Sequence, residues 1–270
     1  MLLVDGYEES KKLDYYIKNV FSSITNPVGI LGIIQIGDNA SSTKYISVKQ
    51  RVGDKLSIKT QLFKFEENLP DAQLAENIRN IVTNKEITGL IIQLPLPRKS
   101  LYSLLDLIPL EKDVDLLSSV AQKRFYDGTL GYGTPVTRAT EYVLDTMKFV
   151  PKKSKVLIIG NGFLVGKPIA QMLKFKKCDV IVTENFIKSD GLNKDLVILS
   201  AGIPNLVSGE DFSDNTNVID FGSTVIDGKT YGDLDMGSKL DHLGWVVPSP
   251  KGMGPLVVRF LFLNHLHHFQ

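Results

Sequence analysis

The stretch SKVLIIGNGFLVGKP, residues 154–168, decides how the fold is interpreted, because an apolar, β-branched run leads straight into a glycine-rich turn. Gly160, Gly162 and Gly166 lie in that turn, and an amphipathic segment follows at 167–177. Such glycines let the backbone approach a phosphate, whose negative charge the N-terminus of the following helix favours. The spacing G-x-G-x-x-x-G exceeds the usual dinucleotide fingerprint by one residue. The turn alone therefore fits a nucleotide site and a tight strand–helix connection equally well.

The patterns around this turn favour the nucleotide site. Strands are predicted at DVIVTE (179–184), DLVILSAG (195–202) and TNVIDFG (216–222), and a helix at RATEYVLDTMKFV (138–150). This order predicts βαβ units in a parallel sheet. Glu184 ends the second strand, where an acidic residue accepts hydrogen bonds from the ribose of NAD and repels the 2′-phosphate of NADP. A surface carboxylate is the equally weighted alternative, and Lys188 is close enough in sequence to soften the repulsion.

The first half of the chain shows the same alternation of strands and helices. Strands are predicted at 28–37, 58–66 and 87–97, and helices around Tyr45 and Lys49, at 71–84 and at 101–108. Near-continuous apolar strands indicate a parallel sheet covered on both faces. Because 270 residues exceed a typical single core, we predict an α/β fold of two domains. An N-terminal α/β domain spans 1–118, a Rossmann-like domain spans 119–251, and a helix at 252–270 packs back on the first domain.

The amino-acid composition limits the binding partners and the cellular compartment that we expect for this protein. A formal net charge of +1 gives no reason to expect nucleic acid or an acidic membrane as a partner. Cys178 is the single cysteine, which excludes an internal disulfide framework and fits a reducing compartment. The first residues show no signal-peptide pattern, and no apolar run is long enough to span a bilayer. We therefore predict a cytoplasmic globular protein.

The positions of the four histidines limit which residue types can transfer protons in this protein. His265, His267 and His268 lie at the very end of the chain, where we interpret them as a solvated tail in preference to a metal site. His242 is the remaining histidine and is interpreted as structural. No metal is expected. Since histidine is the usual general acid–base, any proton transfer is expected to fall to lysine, carboxylate or tyrosine.

Three short stretches carry polar side chains that are candidates for a binding or catalytic site. Tyr45 and Lys49 are four residues apart in STKYISVKQR (42–51), so a helix would place them on one face. Gln93 follows an apolar strand in QLPLP (93–97), at the end of a sheet where open α/β folds gather ligands. Asp113 and Asp115 lie in the loop PLEKDVD (109–115). Taken singly, each has an ordinary alternative: a solvated lysine, a strand-capping glutamine or solvated turn carboxylates.

In order along almost the whole chain, these motifs resemble the family of bifunctional methylenetetrahydrofolate dehydrogenase/cyclohydrolases, called FolD in bacteria and archaea. The segments that carry the resemblance are GDNASSTKYISVK (37–49), GLIIQLPLP (89–97), PLEKDVD (109–115), GTP (133–135), IIGNGFLVGKPIAQML (158–173), VIDFG (218–222), GDLD (232–235) and PSPKGMGP (248–255). The resemblance implies two reactions in one cleft. Hydride passes from 5,10-methylenetetrahydrofolate to NAD(P)+, and the resulting 5,10-methenyl cation is hydrolysed to 10-formyltetrahydrofolate.

Residue roles follow from the resemblance at matching positions. Lys49 would be the catalytic lysine, Gln93 its partner, Tyr45 a folate-stacking residue and Asp115 the pterin anchor, with Pro250 and Gly252 also binding substrate. The cofactor-binding positions would be Thr134, Gly160, Asn161, Gly162, Val165, Gly166, Pro168, Glu184 and Ser223. A free lysine has a pKa near ~10.4, so burial must lower it before the amine can assist water attack at neutral pH. The family also implies a homodimer, and the partners expected are a folate substrate and NAD(P).

The departures from the family pattern lie mostly at the cofactor end. Asn161 and Gly162 stand where the family has the arginine and serine that hold a 2′-phosphate, and Phe186 replaces a serine. NADP is the family default, and NAD is possible here. Leu116 and Lys251 replace family glycines, which puts the shape of the pocket in question. Two alternatives follow: a cyclohydrolase alone with a degraded dinucleotide site, and a folate-binding protein without turnover, against which Lys49 argues.

Overall fold

The computed structural model describes residues 1–25, 28–267 and 269, and their contacts form two compact units. The six-stranded unit comprises Met1–Lys12 and Val136–Val257, and the three-stranded unit comprises Leu13–Pro135 and Val258–Gln270. Both are α/β, as predicted. In chain order the elements are β1 (Leu2–Leu3), α1 (Gly6–Ser23), β2 (Ile30–Ile36), α2 (Ala40–Leu56), β3 (Thr60–Phe65), α3 (Asp71–Thr83), β4 (Ile87–Ile92), α4 (Ser119–Tyr126), α5 (Pro135–Thr146), β5 (Lys155–Ile159), α6 (Gly166–Phe175), β6 (Asp179–Thr183), β7 (Leu196–Leu199), β8 (Asn217–Asp220), β9 (Thr224–Ile226), β10 (Lys229–Tyr231), β11 (Trp245–Val247) and α7 (Met253–His267).

The larger sheet is parallel throughout, in the order β1-β11-β8-β7-β5-β6. Strands β7 and β8 are almost wholly buried, which explains their near-continuous apolar sequences. The register pairs Ile159 with both Thr183 and Leu199, and Leu199 with Asp220. The loops that follow β5, β6, β7 and β8 therefore leave the sheet at one edge, which is where open α/β sheets bind ligands.

The smaller sheet has the order β3-β2-β4 and is also parallel. Its register pairs Ile36 with Phe65 and Ile34 with Ile92, so the loops after all three strands share one edge. Its core is built from aliphatic side chains of the strands, of α3 and of a 3-10 turn that follows β4. These side chains are Ile34, Leu74, Ile78, Leu90, Leu101 and Leu105. That turn, Lys99–Leu107, is a 3-10 helix where the sequence predicted an ordinary helix at 101–108.

The last ten residues of α7 belong to the three-stranded unit, which confirms the predicted return of the C-terminal helix. His265 lies against Gly89 and is fully buried, and its Nε2 is 2.9 Å from the Thr88 hydroxyl. The prediction of a solvated histidine tail is therefore wrong for this residue. His267 is exposed, and His268 lies outside the described residues.

The predicted domain bounds, 1–118, 119–251 and 252–270, differ from the two units in three places. Residues 1–12 belong to the six-stranded unit because β1 pairs with β11 at the edge of its sheet. A two-residue strand is too short to leave a periodic pattern in the sequence. The segment 119–135, which contains α4, belongs to the three-stranded unit, and α7 begins within the six-stranded unit. None of the helices in the described part of the chain is long and apolar enough to cross a bilayer.

Candidate active site

Helix α2 presents the tyrosine and the lysine of the sequence motif. Asn39 caps the helix, since its side chain accepts a hydrogen bond of 2.9 Å from the backbone N–H of Ser42. Tyr45 and Lys49 are one turn apart on this helix, as the sequence predicted. The lysine is buried, with only 7% of its surface exposed, whereas the tyrosine is 41% exposed. The solvated-surface alternative therefore fails for Lys49.

Gln93 is the hydrogen-bond partner of the buried amine. The Lys49 Nζ donates to Gln93 Oε1 at 2.9 Å, and the amide nitrogen of Gln93 donates to the Leu94 carbonyl at 2.7 Å. The second bond fixes which end of the amide faces the lysine. Gln93 directly follows β4, and its backbone N–H also bonds to Ile34 at 2.8 Å. The sheet thus holds a neutral acceptor against a buried amine.

Asp113 and Asp115, the two aspartates of the loop at 109–115, make different contacts. Asp113 is 1% exposed, and its carboxylate accepts hydrogen bonds from the backbone N–H groups of Leu117 at 3.1 Å and Ser118 at 2.8 Å. Asp115 is half-buried and interacts electrostatically with Lys49. The loop pattern alone did not tell the two carboxylates apart, and the choice of Asp115 came from the family resemblance. In the structure Asp113 holds the loop, and Asp115 is the carboxylate that acts on the lysine.

Burial and charge oppose each other at this pair. Burial lowers the pKa of Lys49, and the negative charge of Asp115 raises it again in part. Burial raises the pKa of Asp115, and the lysine counteracts this shift. Burial also raises the pKa of the Tyr45 phenol. A lysine whose neutral form is accessible, beside a neutral acceptor and a carboxylate, can act as a general base and then as a general acid.

The glycine turn after β5 is shaped to receive a phosphate. Gly160 has φ +104°, and a Cβ on it would lie 2.5 Å from the carbonyl carbon of Ser200. A Cβ on Gly166, the first residue of α6, would lie 2.0 Å from the Gly160 carbonyl oxygen. A Cβ at Gly162 would meet nothing within 4 Å. Two of the three glycines are therefore required by the turn, whose shape and helix N-terminus fit a pyrophosphate.

The other predicted cofactor positions differ in their burial and in the element they follow. Glu184 and Ser223 follow β6 and β8 at the same sheet edge, and both are exposed. Asn161 and Val165 are half-buried, and Pro168 is buried inside α6. Thr134 is buried and lies in the three-stranded unit, directly before α5.

Two buried aspartates at this edge were missed by sequence reasoning. The Asp233 carboxylate accepts backbone hydrogen bonds from Ala201, Gly202 and Ile203, at 2.7, 3.1 and 2.9 Å, and so shapes the loop after β7. Asp220, at the end of β8, accepts from three backbone N–H groups, and burial raises its pKa to about 7. Its place at the end of the VIDFG strand is the signal that could have identified it.

The loop PSPKGMGP carries a lysine in a backbone conformation that favours glycine. Lys251 adopts φ +85°, and Leu116 in the other altered motif adopts φ +57°. Both residues thus occupy the left-handed region that glycine adopts without strain. Gly252 is buried, and a Cβ on it would lie 2.2 Å from the Pro248 carbonyl oxygen, while Pro250 is exposed. The two residues are therefore strained where glycine would not be.

Comparison with known proteins identifies the family. The family model for the tetrahydrofolate dehydrogenase/cyclohydrolase catalytic domain matches residues 4–115, and the model for the NAD(P)-binding domain of the same family matches residues 134–270. The chain belongs to the tetrahydrofolate dehydrogenase/cyclohydrolase family. Both halves match, so nothing favours the alternative of a cyclohydrolase alone.

Similar proteins extend over the full length of the chain. The bifunctional protein FolD of Metamycoplasma arthritidis is 32% identical over 97% of this chain and 91% of its own length. FolD of Mycoplasma mobile is also 32% identical, over 100% and 98%. The crystal structure of the FolD dehydrogenase/cyclohydrolase of Campylobacter jejuni is 26% identical with a TM-score of 0.91, covering 100% of this chain and 98% of that one. This tetrahydrofolate dehydrogenase/cyclohydrolase is therefore an oxidoreductase and hydrolase of one-carbon metabolism that uses NAD(P).

Proposed function

We propose that Lys49, Gln93, Asp115 and Tyr45 carry the folate chemistry of both reactions. The hydrogen bond of 2.9 Å between the buried Lys49 amine and Gln93 is the observation that carries this assignment. A buried lysine is costly unless its charge is paired or its pKa falls. Folate binding without turnover would not require that cost, which is why an enzyme explains the arrangement and a binding protein does not.

In the hydrolysis, Lys49 acts first as a base and then as an acid. Its neutral amine takes a proton from the water that attacks the methenyl carbon. The resulting ammonium then donates a proton to the N5 nitrogen as the C–N5 bond breaks, the hydroxyl on the former methenyl carbon releases its proton to solvent as it becomes the formyl carbonyl, and the formyl group stays on N10. Gln93 orients the amine through Oε1 and adds no charge that would raise its pKa. Water thus supplies the formyl oxygen.

In the oxidation, these residues hold the folate for hydride transfer. The Asp115 carboxylate accepts from the N–H donors of the pterin, and the half-exposed ring of Tyr45 offers a stacking surface. NAD(P)+, when bound, accepts the hydride from the methylene carbon. The turn at Gly160 and Gly166, together with the N-terminus of α6, would hold its pyrophosphate. Pro250 and Gly252 are assigned to the folate side from the family pattern.

The choice between NADP and NAD depends on the groups beside the ribose. Asn161 and Gly162 carry no positive charge for a 2′-phosphate, and Glu184 is exposed at the end of β6, where it would repel that phosphate. Lys167 and Lys188 are exposed and are the candidates for compensation. NADP is the family default, and these residues support NAD as a cosubstrate as well.

Parallel assays with the wild-type protein test the function. Oxidation of methylenetetrahydrofolate is measured with NAD+ and with NADP+, and hydrolysis of methenyltetrahydrofolate is measured without cofactor. We expect hydrolysis and oxidation with at least one of the two nucleotides. Hydrolysis without oxidation would leave a cyclohydrolase alone, and neither activity would overturn the function.

We further propose that the enzyme acts as a homodimer in the cytoplasm. The sheet edge at β6 supports a dimer, because Phe175, Ile181 and Ile187 expose 49%, 51% and 61% of their surfaces at or near it. Exposed edge strands with apolar side chains are typical pairing surfaces. Light scattering should give twice the chain mass for the wild-type protein and the monomer mass for Ile181→Lys. A wild-type monomer would contradict the dimer.

A further inference from the structure

Asn264, on the C-terminal helix α7, bonds to two loops of the three-stranded unit. The residue is fully buried, and its amide nitrogen donates hydrogen bonds to the carbonyls of Val114 at 2.9 Å and Gly133 at 3.1 Å. The Val114 carbonyl belongs to the peptide bond that leads into Asp115, and the Gly133 carbonyl to the one that leads into Thr134. One buried amide therefore holds the peptide groups directly before two proposed binding residues.

The loop that carries Asp115 is anchored on both sides of this contact. On one side Leu90 donates a backbone hydrogen bond of 2.7 Å to Lys112. On the other, the Asp113 carboxylate accepts from Leu117 and Ser118. Asn264 adds a third anchor, at the Val114 carbonyl between them. With that peptide plane held, the direction in which the Asp115 side chain leaves the backbone is also restricted.

Helix α7 is itself held by contacts with neighbouring elements, so it can fix the position of Asn264. The neighbouring His265 is fully buried and bonds to Thr88, and the ring of Phe262 approaches Gly53 of α2, the helix that carries Lys49. An asparagine amide supplies two N–H donors from one nitrogen without a charge, which suits two carbonyls in a dry interior. A lysine or arginine would bring an unpaired charge into the same space.

We propose that Asn264 is a positioning residue of the folate site, which sets Asp115 at its working distance from Lys49 and from the pterin. The proposal rests on the function assigned above. It predicts that Asn264 acts through Asp115, whose preceding peptide group it holds. Small displacements of a positioned group are costly, since an error of about 1 Å can lower a rate by roughly a hundredfold.

The test is a double-mutant cycle between positions 264 and 115, measured as the KM for methenyltetrahydrofolate in the hydrolysis. Asn264→Leu keeps the side-chain size and removes both donors, and we expect it to raise KM by about tenfold. In the Asp115→Asn background the same change should raise KM by less than about twofold, because the residue through which it acts is already altered. Full additivity would overturn the proposal.

Thr88→Val is the matched control. It removes one buried side-chain hydrogen bond to the same helix, at His265, and leaves the Asp115 loop untouched. We expect it to lower the melting temperature and to leave the folate KM at the wild-type value, so that loss of stability and loss of positioning are separated. If Asn264→Leu does not fold, Asn264→Ser, whose hydroxyl is too short to bridge both carbonyls, is measured in its place and the same outcomes apply.

The outcomes also separate this inference from the proposed function. Hydrolysis by the wild-type protein with an unchanged KM in the position-264 variant would overturn the positioning role alone. A KM raised equally by Thr88→Val would do the same, because it would assign the effect to the stability of α7. Absence of hydrolysis in the wild-type protein would overturn the function and this inference with it.

Discussion

The folate end and the cofactor end of this enzyme differ in how tightly their residues are held. At the folate end Lys49 is buried against Gln93, and Asp115 lies in a loop that is fixed by Asp113 and Asn264. At the cofactor end Glu184 and Ser223 are exposed. The glycine turn there is fixed by the close packing of its backbone, whereas the folate end is fixed by hydrogen bonds that side chains make to one another and to the backbone.

This difference bears on the departures from the family pattern at 161 and 162. Buried polar groups that bond to one another cannot change singly without leaving a partner unsatisfied. In the phosphate turn only Gly160 and Gly166 are sterically required, and Gly162 has open space around it. The departures at 161 and 162 therefore fall beside the two required glycines, and at 162 the fold leaves room for a side chain.

The largest expected effect is at the buried amine. Lys49→Ala removes the general acid–base and should lower the rate of methenyl hydrolysis by about a thousandfold. Binding of the nucleotide and the folded structure should persist. Lys44→Ala, an exposed lysine on the same helix, is the control and should keep the wild-type rate. Hydrolysis retained in the Lys49 variant would contradict the assignment of the folate end.

The second-largest expected effect is that of Asp115→Asn on the pH dependence of the hydrolysis rate. Asp115 raises the pKa of Lys49, so Asp115→Asn should lower that pKa further and extend the neutral amine to lower pH. The acidic limb of the hydrolysis rate against pH should then move to lower pH, while the KM for folate rises by about tenfold as a pterin contact is lost. A limb that stays in place, or moves to higher pH, would mean that the carboxylate does not act on the lysine.

A third prediction concerns the cofactor end. The double variant Asn161→Arg/Gly162→Ser restores the family residues at two positions, and the open space at 162 accepts a side chain. A charge-assisted bond to the 2′-phosphate is worth about 1.5–3 kcal/mol, so the preference for NADP+ over NAD+ should rise at least about tenfold. Hydrolysis should not change. An equal preference before and after would show that other residues decide the choice.

The smallest effect is on stability. Lys251 is exposed and adopts a left-handed conformation, so Lys251→Gly should relieve strain and raise the unfolding temperature by about 2 °C, corresponding to about 1 kcal/mol. Leu116→Gly is the matched comparison, since it relieves similar strain and also removes a fully buried side chain. We expect it to destabilise the protein by about 2 kcal/mol. A destabilising Lys251→Gly would mean that the lysine contributes contacts that offset the strain.

Much of this was predictable from local sequence. The strands β2 to β8 and the helices α2, α3, α5, α6 and α7 follow from hydrophobic periodicity and glycine turns, which depend on neighbouring residues, whereas the return of α7 does not follow from any local pattern. The missed elements include the two-residue β1 and the β9–β10 hairpin, which are short, and also the 18-residue helix α1, for which no prediction was made. The histidines at the end of the chain were interpreted as a solvated tail. That interpretation is wrong for His265, which is bonded to Thr88.

The sequence by itself determined the family, the α/β order of the elements and the identity of the residues at both ends, since motifs persist in the order of the chain. Only the tertiary structure decided which aspartate acts on Lys49, that the first twelve residues join the six-stranded sheet, and that Asn264 holds the Asp115 loop. These contacts join residues far apart in sequence. They depend on how the chain packs, which no local pattern records.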